Sequence, residues 1–153
     1  MVAYSFKKRF VDPIRLGLGM KVNHEPGGAH IYAPKRQTIR AIGKRRHARP
    51  GETLQLYTGM RTRQCQAIGI AQCVSVQPID IYFQSDTIHV GKIQERETFT
   101  GAERLDEFAR RDGFASWREM REFWLEEHGE NGQMKKLGPW GGLLIRWEPI
   151  SQS

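Results

Sequence analysis

The sequence predicts one α+β domain: a small mixed β-barrel of about five to seven short strands, a short N-terminal helix and a later helix pair. Three observations point there. Between Thr53 and Val90, strand-like runs alternate with turn residues. From Glu95 to Glu130 acids outnumber bases and the apolar spacing becomes helical, which places the helix pair over residues 99–128. A last apolar run, Leu143 to Trp147, supplies a strand that closes the sheet beside an earlier one. At 153 residues the chain has room for one adequate core, and no repeat or composition boundary divides residues 1–153.

Each element has a local reason. Tyr4, Phe6, Lys8 and Phe10 alternate with Ser5, Lys7 and Arg9, so residues 4–10 read as an imperfectly half-buried strand. Asp12-Pro13 reads as an N-cap with proline at the first helical position, and Gly17 and Gly19 end that helix. Residues 20–34 contain Pro26, Gly27 and Gly28 without any period and read as a flexible loop insertion, often a functional flap in a compact domain. Arg49-Pro50-Gly51-Glu52 is a turn, after which Thr53–Thr58 turns Leu54 and Leu56 to the core. Past Gly59, Arg61 and Arg63 share a face with Thr62 opposite. Pro78 separates a strand over 67–76 from one over 79–83, and 86–90 follows. Thr100-Gly101-Ala102-Glu103 and Ser116-Trp117-Arg118-Glu119 both have the capping-box pattern. Behind them lie the apolar stripes Leu105, Phe108, Ala109 and Trp117, Met120, Phe123, Trp124, read as core; Asp112-Gly113 ends the first helix.

The charge is uneven. Net charge is +7 and the sequence pI about 9.7. Lys35-Arg36-Gln37-Thr38-Ile39-Arg40 is followed by Lys44, Arg45, Arg46, His47 and Arg49, and no carboxylate occurs from Pro26 to Gly51. Such a run is most simply explained by a partner outside the chain, with phosphate the obvious chemistry. Tyr57, Arg61 and Thr62, on or beside a neighbouring strand, add the aromatic and further cations that a single-stranded base and its phosphate require. The expected nucleic-acid-binding set is therefore Arg36, Arg40, Lys44, Arg45, Arg46, Tyr57, Arg61 and Thr62. Strand alternation sets a condition within the run. In one uninterrupted strand Arg36, Thr38 and Arg40 share a face and Lys35 points away, so Lys35 and Thr38 meet only if the chain turns between them.

Several classes find no support. There is no Walker loop, no Gly-x-Ser-x-Gly elbow, and no metal-ligand spacing among His24, His30, His47, His89 and His128. Cys65 and Cys73 are neither a CxxC pair nor a zinc knuckle and read as reduced thiols in or near strands. No secretory signal or spanning run is visible. The expectation is a cytoplasmic protein, monomeric or weakly dimeric, without cofactor, metal or membrane contact.

The stretch Lys35-Arg36-Gln37-Thr38-Ile39-Arg40 resembles the signature of the ASCH family. Phe6-Lys7-Lys8-Arg9-Phe10 is similar to that family's first strand, Gly51-Glu52-Thr53-Leu54-Gln55-Leu56-Tyr57-Thr58-Gly59-Met60-Arg61-Thr62 to its middle, Asp112-Gly113-Phe114-Ala115-Ser116-Trp117 to its helix–helix junction, and Leu144-Ile145-Arg146-Trp147 to its closing strand. The resemblance spans nearly the whole chain and implies a PUA-like barrel with a cleft for RNA or a nucleoside. Some members hydrolyse the acetyl amide of acetylcytidine with a lysine, a threonine and a glutamate. Lys35 and Thr38 match the first two; Asp112, one methylene shorter, stands nearest to the third. Other members are ribonucleases or RNA binders.

The chemistry stands on its own terms as well. A threonine hydroxyl needs a base to take its proton. A lysine amine near its usual ~10.4 is protonated at neutral pH, but burial and neighbours such as Arg36 and Arg40 lower that value. The competing reading makes Lys35 a phosphate ligand and Thr38 a structural hydroxyl. RNA or nucleoside binding, amide hydrolysis, metal-independent ribonuclease action and a non-catalytic interaction module docking through the acidic helix pair all remain open at this level.

Overall fold

The chain runs β1 (Val2–Phe6), a 3₁₀ turn (Lys8–Phe10), α1 (Val11–Gly17), β2 (Gln37–Arg40), β3 (Thr53–Thr58), β4 (Gln66–Tyr82) and β5 (Thr87–Val90). A second 3₁₀ turn (Ile93–Glu95), β6 (Glu97–Phe99), α2 (Ala102–Arg111), α3 (Trp117–His128) and β7 (Trp140–Pro149) complete it. The computed structural model describes residues 1–22, 33–128 and 138–150. Most of the expected loop insertion over 20–34 lies outside the described residues.

All seven strands join one sheet, ordered β1-β3-β4-β5-β6, with β7 pairing both β4 and β2. The architecture is α+β, as expected, but the sheet is not closed into a barrel. β1 runs parallel to β3, in register from Val2 opposite Leu54 to Phe6 opposite Thr58. The other pairings are antiparallel.

Four local expectations are corrected. The first strand stops at Phe6, and Lys8–Phe10 turns, which carries Phe10 into the core without strand alternation. Asp12 is not the cap of α1, which begins at Val11 with Phe10 preceding it. Thr100 makes no capping bond, since Gly101 precedes α2. Pro78 does not divide a strand: β4 continues through it. Its carbonyl accepts from Gly91 N–H (2.8 Å), so the edge of Pro78 faces the β5 side. The β4–β5 ladder begins only at Ile79, so the missing N–H interrupts no ladder bond.

The second helix starts as its pattern predicts. Ser116 Oγ accepts from Glu119 N–H (3.2 Å), while Glu119 Oε2 accepts from Ala115 N–H (3.1 Å). Leu105, Phe108 and Ala109 of α2, with Trp117, Met120 and Trp124 of α3, are buried against the sheet. The core continues through Tyr4, Phe6, Leu54, Leu56, Ile79, Ile81, Leu144, Ile145 and Trp147. No helix among the described residues is long and apolar enough to cross a membrane.

Candidate functional site

Among the described residues, the buried polar or charged side chains are Lys35, Gln37, Thr38 and Asp112, each at most 5 % exposed. They sit together, and burial of this kind is expensive unless every group is partnered.

The backbone brings them there by a close approach. Lys35 lies ahead of β2, its N–H bonded to Pro13 carbonyl (2.9 Å). The end of α1 packs on this segment: a Cβ built on Gly17 would lie 2.2 Å from Lys35 carbonyl oxygen, so only glycine fits. From the other side comes the α2 C-terminus. Asp112 follows the last turn, and Gly113 (φ +95°) carries the chain past Lys35, whose Cδ would be 2.9 Å from a Cβ there.

Lys35 Nζ donates to Asp112 backbone carbonyl (2.6 Å) and lies 3.5 Å from Asp112 Oδ1. Gln37 Nε2 donates to the same Oδ1 (3.2 Å). The ammonium also sits over the Phe10 ring, 4.9 Å from its centroid. Arg40 Nε donates to Thr38 Oγ1 (3.0 Å), Arg40 Nη2 donates to Ser5 carbonyl (2.8 Å), and the guanidinium covers the Phe6 ring at 4.9 Å. Lys35 and Thr38 do not hydrogen-bond each other, but Lys35, Thr38, Arg40 and Asp112 line one cavity of about 360 Å³. Phe10, Phe114, Phe123, Trp124 and Trp140 give it aromatic walls, and Ser5, Lys7, Glu127 and His128 add polar and charged groups. Trp124 and Trp140 meet edge to face at 4.6 Å.

Burial pushes the Lys35 amine below its usual value, and Arg40 adds to this against the opposing pull of Asp112. Burial likewise pushes the Asp112 carboxyl up, against Lys35 and the bonds it accepts. Both shifts favour the neutral forms of the pair.

Lys35 and Gln37, two residues apart, both reach Asp112, as strand alternation allows. Arg36 and Gln37, consecutive residues, both line a groove that shares no lining residue with the cavity. Lys35, Thr38, Ile39, Arg40 and Ala41 all line the cavity, so it is reached from both faces of this stretch. Gln37 forms the partition, lining the groove while its amide reaches Asp112. In the sequence it is an amide inside a basic run, and its burial is what marks it.

The other expected binding residues are dispersed. Arg36 donates through Nε to Gly17 carbonyl (2.9 Å) and faces the groove. Lys44 is exposed. Arg45 donates to Ala3 carbonyl and lies 5.8 Å from the Tyr4 ring centroid. Arg46 makes a two-pronged pair with Glu52 (2.6 and 2.9 Å), whose carboxyl is held down to about 2, chiefly by that bond. Its neutralising partner is therefore in the chain, just past the carboxylate-free run. Tyr57 is half-buried and does not line the cavity. Arg61 (φ +66°) and Thr62 belong to a tight turn rather than a strand, with Thr62 Oγ1 donating to Gly59 carbonyl (2.6 Å). Thr62 lines a second, larger cavity of about 1030 Å³ with Lys7, Lys8, Arg15 and Arg63; it adjoins the first across Ser5, Phe6 and Lys7.

Among the described residues no three His, Cys, Asp or Glu side chains gather as metal ligands. Cys65 is exposed and Cys73 buried, both free. Comparison of the chain with protein-family models, curated proteins and solved structures returns no match.

Proposed function

We propose that the cavity binds an acylated nucleoside, with acetylcytidine as the type case, and hydrolyses its acyl amide. The observation that carries this reading is the burial of Lys35, Thr38 and Asp112 around one small aromatic-walled cavity. An amine whose charge is disfavoured by burial is a better candidate base than an ordinary lysine. In the proposed reaction Thr38 Oγ1 attacks the acyl carbonyl and Lys35 takes its proton. The C–N bond breaks, the proton passes to the departing exocyclic amine, and water then cleaves the ester left on Thr38. Asp112 holds Lys35 in place, and Arg40, already bonded to Thr38 Oγ1, lies beside the developing oxyanion. The flat walls suit a pyrimidine ring. On this reading the chain stands with the ASCH family and its PUA-like relatives, on the strength of the Lys35–Arg40 signature.

The test is incubation with acetylcytidine, with cytidine release followed by chromatography. Lys35→Ala and Thr38→Ala should each lower the rate by about 100-fold or more. Undiminished release by both variants overturns the assignment.

Binding of RNA without hydrolysis is favoured by a separate observation. The larger cavity, with Lys8, Arg15 and Arg63, continues from the first and suits the phosphates of a strand whose base enters it. Short single-stranded RNA that binds with a steep salt dependence, while acetylcytidine stays intact, would select this reading.

A further inference from the structure

The groove lined by Arg36 and Gln37 carries a second concentration of charge. It has a volume of about 660 Å³, and Arg36, Arg110, Arg111 and Arg146 line it. Its carboxylates are Glu107 and Glu148, two against four. Glu107 is already paired with Arg111 (2.5 Å). Arg146 also feels Glu97, but that carboxylate pairs with Arg104 (2.9 Å). Among the described residues, Arg36, Arg110 and Arg146 have no carboxylate within ion-pair distance. Arg146 is half-buried, and its guanidinium makes one long contact, to Gln77 Oε1 (3.4 Å).

A solvated basic face would not need this arrangement. The last turn of α2 accounts for Arg110 and Arg111 by itself, since cations are favoured there. It does not explain why two other segments deliver Arg36 and Arg146 to the same concavity. Nor does it explain why half-buried Arg146 lies close enough to Arg111 for the two charges to oppose each other. Planar guanidinium forks converging from three segments match an oxyanion with several acceptor atoms.

We propose that this groove is a phosphate-binding site, separate from the cavity, which takes the phosphodiester backbone of a nucleic-acid strand or the phosphate of a nucleotide. The site does not depend on the hydrolase reading. Arg110 comes from α2, Arg146 from β7 opposite Gln37, and Arg36 from the lead into β2.

The experiment uses the full chain carrying Lys35→Ala, so that the cavity chemistry is disabled. One arm measures fluorescence anisotropy of a labelled single-stranded RNA of about ten nucleotides, between about 50 and 200 mM salt. A second arm measures binding of inorganic phosphate and of cytidine monophosphate by calorimetry. In the RNA arm, Arg110→Gln/Arg146→Gln should weaken binding about tenfold or more at low salt and flatten the slope of log K against log salt by about 2. Arg118→Gln, on α3 and outside the groove, should leave both unchanged. Should Arg146→Gln disturb folding, exposed Arg110→Gln alone should still flatten the slope by about 1. An arginine-dependent effect with RNA identifies a strand as the source. An arginine-dependent effect with phosphate or the mononucleotide alone identifies a nucleotide. Unchanged RNA binding in Arg110→Gln, together with no arginine-dependent binding of either small phosphate, overturns the proposal.

Discussion

At the scale of single residues, the burial of Lys35 and Asp112 makes stability depend on pH, with a sign set by each group. Folded Lys35 holds its proton less tightly than the unfolded chain does, because burial removes water from the charge. Between its lowered folded value and the unfolded ~10.4, the unfolded chain carries more protons, so stability rises with pH. Asp112 works with the opposite slope: from the unfolded ~3.9 up to its raised folded value, the folded chain carries more protons, and stability falls as pH rises. Urea midpoints taken between about pH 8 and pH 10 should therefore climb in the wild type relative to Lys35→Met. Equal pH slopes would show that Lys35 is no more desolvated folded than unfolded. The run from Lys35 to Arg40 is legible in the sequence by its charge density, but the pairing of Lys35 with Thr38 comes only through the resemblance. Asp112 came only through the resemblance, and Gln37 not at all, since an amide among cations looks solvent-facing until the tertiary fold buries it.

At the scale of elements, the site depends on how closely α1 approaches the lead into β2. Gly17→Ala would set a methyl against Lys35 carbonyl, a backbone atom that cannot step aside. The expected cost is about 1–3 kcal/mol or more in urea unfolding, with loss of any activity that uses Lys35. An unchanged midpoint would mean that α1 sits farther away. The α3 cap is an independent check. Ser116→Ala should cost about 1 kcal/mol without altering the cavity, because Ser116 satisfies one N–H at the helix start and does not line the cavity. These elements also show what local pattern carries. The apolar stripes of both helices and the inward Leu54 and Leu56 were readable, because helical and strand periods are properties of neighbouring residues. Pro78 was misread because its tolerance depends on where β5 begins to pair, which is set some ten residues away in the chain.

For the whole molecule, β4 and β7 form the spine. β7 pairs with β4 from Ala71 opposite Pro149 to Ile81 opposite Trp140, and its other edge carries β2. Every other strand joins at an end or a flank. Native-state hydrogen exchange should find the slowest amides around Ile79, Ile81, Leu144 and Ile145, with β6 and the β1 edge opening earlier. Faster exchange in β7 than in β6 would contradict this. The α+β class was legible from the switch in period along the chain. The closed barrel was not a sound extension of it, because closure requires long-range pairing between edges that local alternation does not encode.

The crowding of residues 35–40 between cavity and groove also bears on which changes of length the chain tolerates. Residues 35–40 line two hollows at once, the cavity through Lys35, Thr38, Ile39 and Arg40 and the groove through Arg36 and Gln37. Removing or adding one residue within this stretch would turn the side chains on one side of the edit to the other face and break the shared hold of Lys35 and Gln37 on Asp112. The same one-residue edit among the exposed residues Ile42 to Arg46 would leave that frame intact. Insertion and deletion scanning should therefore find a short intolerant window over residues 35–40, bordered downstream by a permissive one.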